Sequence, residues 1–438
     1  MVLRQINQGC FLTGCLCVIL SSCAGEPPPT RSEIKNQNTA NVNGENVSGE
    51  NGKDGYSPLV KGVTESPDDP RKKQDKNIFG TWTALNGIVA AADSTVIPTE
   101  KYILTFGGES RNKYGCEISA AVHHRYDIST GEVKSMSTTG FTLPRSEALT
   151  AWTGDRLLVW GGRQTYASGS NCSNQDLNDG GMYLVDRDEW ITISPPASAI
   201  STHIHTFVEG NWLFLDLVKS ELLAFEPNAN SWKKTTVPIG PNLSSYPKPL
   251  WAWTGVEFFV WGGATKDAQP ILKNDAWLYN PKTNTWRLSK SSTKPAVRLG
   301  GKAMATKDRV ILFGGTDEKA VALTDQLLWT FDPAADTWTK VVNVHIADLQ
   351  RPLISATAIG SDLVFWGGFT KGVYTPNGLI YKPATDSWTP LPANGNIANR
   401  AHFIAFDYGG KLAVIEGASD GNIVKNIGAV LTPSANKP

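Results

Sequence analysis

This chain lacks an excess of charge of either sign, is short of histidine and methionine, and has no long apolar run. Its 41 basic and 41 acidic residues balance across 438 positions. Such a balance supplies no electrostatic footprint for a phosphate backbone, so nucleic acid is not an expected partner. The N-terminal apolar stretch Phe11–Leu20 is too short to span a bilayer, and no other segment is long enough. No Lys-Ser or Lys-Thr follows the double glycines described below, which excludes a phosphate-binding loop there. No His or Cys stands at metal-ligand spacing from Cys116 or Cys172, and no nucleophile elbow is recognisable. Neither a cofactor nor a metal is expected.

What the chain does have is repetition. An apolar run ends in an aromatic residue and two glycines at Phe106-Gly107-Gly108, Trp160-Gly161-Gly162, Trp261-Gly262-Gly263, Phe313-Gly314-Gly315 and Trp366-Gly367-Gly368. Neighbouring copies lie roughly fifty residues apart, with one double gap, and a period of that length marks a repeat architecture. The copy around Trp160 reads as four strands: Glu147–Thr153, Leu157–Trp160, Met182–Val185 and Trp190–Ile193. A polar loop, Arg163 to Gly180, follows its glycines and carries Tyr166, Asn171 and Asn174. The third and fourth strands join through turns rich in Asp, Asn and Pro, whose side chains and fixed φ suit a tight reversal. A Trp opens the fourth strand in most copies (Trp190, Trp232, Trp286, Trp338, Trp388), where a large ring fills the wedge between neighbouring sheets.

This pattern resembles the kelch repeat, on the run into Gly-Gly, the Asn274-Asp275 ahead of an aromatic third strand, and the turn into Trp. The resemblance covers about Phe79 to Thr432 and implies an all-β, seven-bladed propeller with four antiparallel strands per blade. Two copies depart from the pattern. Trp212–Leu217 lacks the glycines, and Val414–Ala418 keeps one. The last copy has no Trp strand of its own, whereas Gly80–Leu85 is a fourth strand standing before the first repeat. The economical reading closes the last blade with that N-terminal strand, which removes an exposed edge.

The first residues are different material. Residues 1–22 read as a signal peptide, and Leu20-Ser21-Ser22-Cys23 resembles a bacterial lipobox, implying lipidation of Cys23. Residues 23–77 are rich in Pro, Asn, Gly and Ser and read as a disordered tether, on the order of 40 Å in reach. Residues 78–432 form the propeller and 433–438 a tail. The implied location is the bacterial cell envelope, exported and anchored to the outer membrane by lipid. Cys116 and Cys172, both after double glycines, are the expected disulfide of an exported domain.

Sixteen residues before the first glycine of the last four pairs stand Arg145, Tyr246, Arg298 and Arg351. Arg400 occupies that place in the last copy within one residue, and Ser201 in the degenerate copy. A shared offset places these side chains at the start of each innermost strand, around the mouth of the central channel. A ring of guanidinium groups suits an anionic ligand, although each Arg is equally suited to hold backbone carbonyls. Two functions follow. The first is a monomeric, membrane-tethered scaffold binding a protein or glycan through its loop face and central channel. The second is an acidic-sugar enzyme similar to the kelch-type sialate mutarotase, with Glu147 as acid/base, unless Glu147 merely pairs with Arg145. The kelch propellers also include galactose oxidase, but no Tyr-His dipeptide for its copper site occurs here. Binding without catalysis takes precedence.

Overall fold

The structure, a computed structural model, describes residues 81–432 except 92–93, 112–115, 121, 142–143, 169–170, 245–246, 268, 320, 322, 324–326, 343–348, 350–353, 371–372, 375–377, 392–403, 416–423 and 426–427. Cys23, Tyr246, Arg351 and Arg400 lie outside the described residues. Seven four-stranded antiparallel sheets follow one another along the chain, giving the seven-bladed propeller of kelch type. Blade 2 runs Leu149–Trp152, Arg156–Trp160, Gly180–Leu184 and Glu189–Thr192, from axis to rim. The degenerate copy is a complete blade 3, His205–Val208, Asn211–Asp216, Glu221–Glu226 and Ser231–Thr236.

The ring closes as the sequence implied. Thr81–Leu85 pairs antiparallel with Gly428–Thr432, with Trp82 opposite Leu431, and so supplies the outer strand of blade 7. Blade 7's inner strand Ile404–Tyr408 in turn lies beside Thr95–Pro98 of blade 1.

Apolar side chains collect between blades rather than within them. Each junction has its own buried cluster; Phe259, Trp261 and Leu278 of blade 4 pack on Leu312, Trp329 and Phe331 of blade 5. The last junction follows the same rule, with Ile103 and Tyr126 against Phe406 and Ile415. Strands alternate their side chains across two faces, so each sheet buries both faces against its neighbours.

The Trp that opens each fourth strand does more than fill space. In blades 2, 3 and 4 its indole N–H donates to the preceding blade: Trp190 to Ser137 O at 2.9 Å, Trp232 to Ser194 O at 2.6 Å and Trp286 to Pro238 O at 3.2 Å. Two residues earlier an Asp or Asn takes positive φ (Asp188, Asn230, Asn284, Asp336, Asp386), which those residue types tolerate best after glycine. Asp188 accepts from Ser137 N, Asn230 from Ser194 N and Asp336 from Lys290 N, each on the blade before. Turn, ring and amide together latch one blade to the next.

Candidate functional site

The innermost strands start, and the second strands end, on one face of the ring; that face carries the long insertions. At the start of blade 2, Arg145 is fully buried. Its Nη1 donates to Gly161 O at 2.8 Å and to Asp179 Oδ1 at 3.1 Å, its Nη2 donates to Asp179 Oδ2 at 3.2 Å, and its guanidinium lies 4.2 Å from the Phe141 ring centre. Arg298 of blade 5 repeats this, buried, with Nη1 donating to Gly314 O at 2.8 Å. Burial pulls its pKa down to about 10. In blade 3 Ser201 Oγ donates to Asp216 Oδ2 at 2.6 Å instead, while Asp216 Oδ1 accepts from Val218 N and Lys219 N.

The offset counted in the sequence thus marks a real structural equivalence, a clasp closing the second strand onto the first. It does not present Arg145 and Arg298 to an open mouth, as the sequence reading expected. The double glycine turns the chain out of its ladder and leaves the first glycine's carbonyl pointing inward, and the buried guanidinium satisfies it. Gly162 shows why no side chain is tolerated at that turn: at φ 89° an added Cβ would stand 2.5 Å from Ser146 O.

Two residues further along stand Glu147 in blade 2, His203 in blade 3 and Lys248 in blade 4, with Lys248 close enough for its charge to act on both of the others. Glu147 has φ 55°, and the equivalent residue of blade 5 is Gly300 at φ 65°. Its Oε1 lies 3.9 Å from Arg163 Nη1, so its partner is Arg163 and not Arg145. Desolvation pushes the Glu147 carboxyl up to about 7; Arg163 and Lys248 oppose the rise, and Glu109 and Asp176 add to it. Burial, then the charge of Lys248, brings His203 down to about 4, and its Nε2 lies 3.4 Å from Pro249 O. Lys248 is exposed to water yet crowded by protein, and that desolvation lowers its pKa while Glu147 resists. Charge in a concave, partly dry setting is stabilised less than on a convex surface.

Above blades 1 and 2 rises a wall of two β-ribbons. The stretch after Gly162 is not a loop: Arg163–Ser168 pairs with Asn171–Asp176 through six residues. Blade 1 contributes Glu109–Arg111 paired with Glu117–Ser119. Ser119 Oγ donates to Arg163 O and accepts from Thr165 N, both at 2.9 Å, so one hydroxyl joins the ribbons. A Cys116–Cys172 disulfide, with Cα atoms 5.8 Å apart, staples them. Tyr166 stands out from the wall, 50% exposed, its hydroxyl bonded to Gln164 Oε1. The same counting that found Arg145 would have found His203 and Lys248 had it continued two places. Arg163, Glu109 and Asp176 carry no such signal, because ribbon register brings them there.

Comparison with known proteins agrees with this architecture. Residues 250–433 match the family described as the KLHDC2/KLHL20/DRC7 Kelch-repeats domain. The chain is similar to Tip elongation aberrant protein 1 of Schizosaccharomyces pombe, 26% identical over 210 residues, which is 45% of this chain and 18% of that protein. It is similar to human Kelch domain-containing protein 3, 24% identical over 272 residues, covering 58% and 61% of the two chains. A third relative, the Rab9 effector protein with kelch motifs of Xenopus laevis, is 26% identical over 133 residues, covering 30% and 33%. The chain spans less than two thirds of the length of each of these relatives.

Proposed function

We propose that this seven-bladed kelch-type propeller is a binding scaffold that docks a protein partner on the face carrying the two-ribbon wall, tethered to the cell envelope through a lipid on Cys23. The observation that carries the reading is the wall itself. Ribbons from two blades are cross-linked by a disulfide and a shared hydroxyl, and they hold Tyr166 half exposed at a raised edge. A loop ordered in this way loses little entropy on binding, and aromatic anchors on rigid supports are the usual energetic centres of interfaces. The disulfide accords with an exported protein. The tether rests on the Leu20–Cys23 lipobox resemblance and on the composition of residues 23–77. Kelch propellers generally bind protein partners, which supports the docking role.

A photo-crosslinking residue placed at Tyr166 of the full-length, envelope-located protein tests the reading. The expected result is a discrete crosslinked partner, absent when the same residue replaces Val256, which is 58% exposed in the turn at the opposite ends of the strands. Equal crosslinking from both faces, or none from Tyr166, would overturn the docking face. Retention of the Cys23→Ala protein on membranes would overturn the lipid tether.

A further inference from the structure

Beside the short turn of blade 3 the surface opens into a hollow of about 160 Å³, walled by Leu217, Val237, Pro238, Pro241 and Trp286. The walls are held in place. The Trp286 indole N–H is spent on Pro238 O at 3.2 Å, and Val237 N donates to Ser220 O at 2.9 Å. Gly240 lies so close to the indole that an added Cβ would stand 2.5 Å from the ring. Pro238 and Pro241 fix φ along the rest of the wall. Ser220, which also lines the hollow, holds φ 53°, a left-handed backbone that strains a serine and is met at ligand clamps. An apolar cavity of about this volume takes up benzene, so the hollow has room for one ring or a short chain.

Two charged groups line the hollow, and their circumstances differ. The carboxylate of Asp216 has its partners. Oδ1 accepts from Val218 N and Lys219 N, both at 2.9 Å. Oδ2 accepts from Ser201 Oγ at 2.6 Å and lies 3.8 Å from Lys219 Nζ. Lys266 Nζ reaches over the blade 3 turn and donates to Val218 O at 3.2 Å and Leu217 O at 3.5 Å. An ammonium has three donors, so two neutral carbonyls leave one N–H unused and the charge uncompensated. Among the described residues Lys266 forms no ion pair.

We infer that the hollow between blades 3 and 4 is a binding site for a small carboxylate with an apolar body. The ring or chain lies among Pro238, Pro241 and Trp286, and the carboxylate meets Lys266. A preformed apolar wall costs little ordering on binding, and a carboxylate on the ammonium makes a charge-assisted hydrogen bond. A neutral apolar molecule leaves the ammonium without a counter-charge, and a cation is repelled by it. A carboxylate without a body gains only an exposed ion pair, which is worth little. The neighbouring hollow of about 230 Å³, which shares Pro241 and Asn242, is a different case. It is lined by Lys273 and also by Asp275, which Lys294 holds at 2.8 Å. The proposed site depends on neither the ribbon wall nor the lipid tether, and either can fail without the other.

The test titrates the full-length protein by isothermal calorimetry with phenylacetate and hexanoate, against phenylacetamide, phenethylamine and acetate. At least one of the two apolar carboxylates binds roughly tenfold or more tighter than any of the three controls. Lys266→Met removes the preference for phenylacetate over phenylacetamide, and Lys266→Glu turns it toward phenethylamine. Lys273→Met, in the neighbouring hollow, leaves phenylacetate binding unchanged. Lys266 is exposed, so its variants melt with the wild type and a lost ligand is not a lost fold. The wild-type series decides even where a variant misfolds. Absence of binding by both carboxylates at about 50 mM, or equal binding of phenylacetamide, would overturn the site. So would phenylacetate binding that survives Lys266→Met or falls as far in Lys273→Met.

Discussion

Blades 2 and 3 are neighbours built on one plan, and they end their second strands by different chemistry. Blade 2 uses a double glycine, a buried guanidinium and a ribbon that rises above the face. Blade 3 uses Asp216, whose carboxylate accepts two backbone N–H groups of the four-residue turn Leu217–Ser220 and one hydroxyl from Ser201. What the blade geometry demands is a polar group that closes the strand end against the start of the innermost strand. Arginine reaching a carbonyl meets that demand, and so does aspartate reaching amides. The consequence lies on the surface. Where blade 2 builds a wall, the short turn of blade 3 leaves a hollow of about 160 Å³ beside Ile239, Lys266 and Trp286. Lys266 of blade 4 leans over that turn and donates to Val218 O at 3.2 Å.

The widest difference between the two blades should appear on reduction. Cys116 and Cys172 are 56 residues apart in sequence, and closing such a loop in the unfolded chain accounts for about 4 kcal/mol as an upper figure. Denaturant midpoints of wild type and Cys172→Ser, each with and without reductant, measure it. Wild type should lose stability on reduction and Cys172→Ser should not respond. Insensitivity of both would mean that the wall is held by its hydrogen bonds alone.

Next comes the clasp. Arg145→Ala should cost about 2–4 kcal/mol, because it leaves the Gly161 carbonyl unpaired and empties the space beside Phe141. Ser201→Ala should cost about 1–2 kcal/mol, since Asp216 keeps its two backbone donors and loses only one partner. Urea unfolding of the two variants gives the ratio. Near-equal losses would break the comparison, and a negligible loss for Arg145→Ala would return its guanidinium to the list of candidate ligand contacts.

The architecture was legible because its signals are local and repeated. Glycine pairs, turn Asx residues and the Trp two places later each answer a backbone requirement that recurs in every blade. Closure by Thr81–Leu85 was legible for the same reason, a fourth strand missing at one end and present at the other. The site was legible only in part. Offset counting found a true equivalence at Arg145 and Arg298 but could not tell that these guanidinium groups are taken up by the carbonyls of the glycine turns. Arg163, Glu109 and Asp176 reach the mouth through pairing between residues distant in sequence. The inter-blade role of Trp190 and Asp188 likewise depends on the blade before, which no single repeat reveals.

The smallest difference concerns pH, and there the two blades pull in opposite directions. Blade 3 buries His203 and His205, each held down to about 4 chiefly by desolvation. The ordinary imidazole titrates near 6.5, so between about 6.5 and 4 the unfolded chain binds protons that the folded blade refuses, and stability falls with acidity. His123 of blade 1 shifts the same way and adds to that background. Glu147 of blade 2 is raised to about 7, so over the window from about 7 down to the ordinary carboxyl range the folded form takes up its proton first, and stability rises with acidity. The histidines outnumber the carboxyl, and wild type should therefore lose stability on acidification. Glu147→Gln removes the opposing slope and should lose more, by on the order of 1–2 kcal/mol across the same window; His203→Gln should lose less by a similar amount. Melting temperatures of the three proteins at pH 7, 6 and 5 give the slopes. A Glu147→Gln slope no steeper than wild type would mean that the carboxyl is well solvated and ionised in the folded protein.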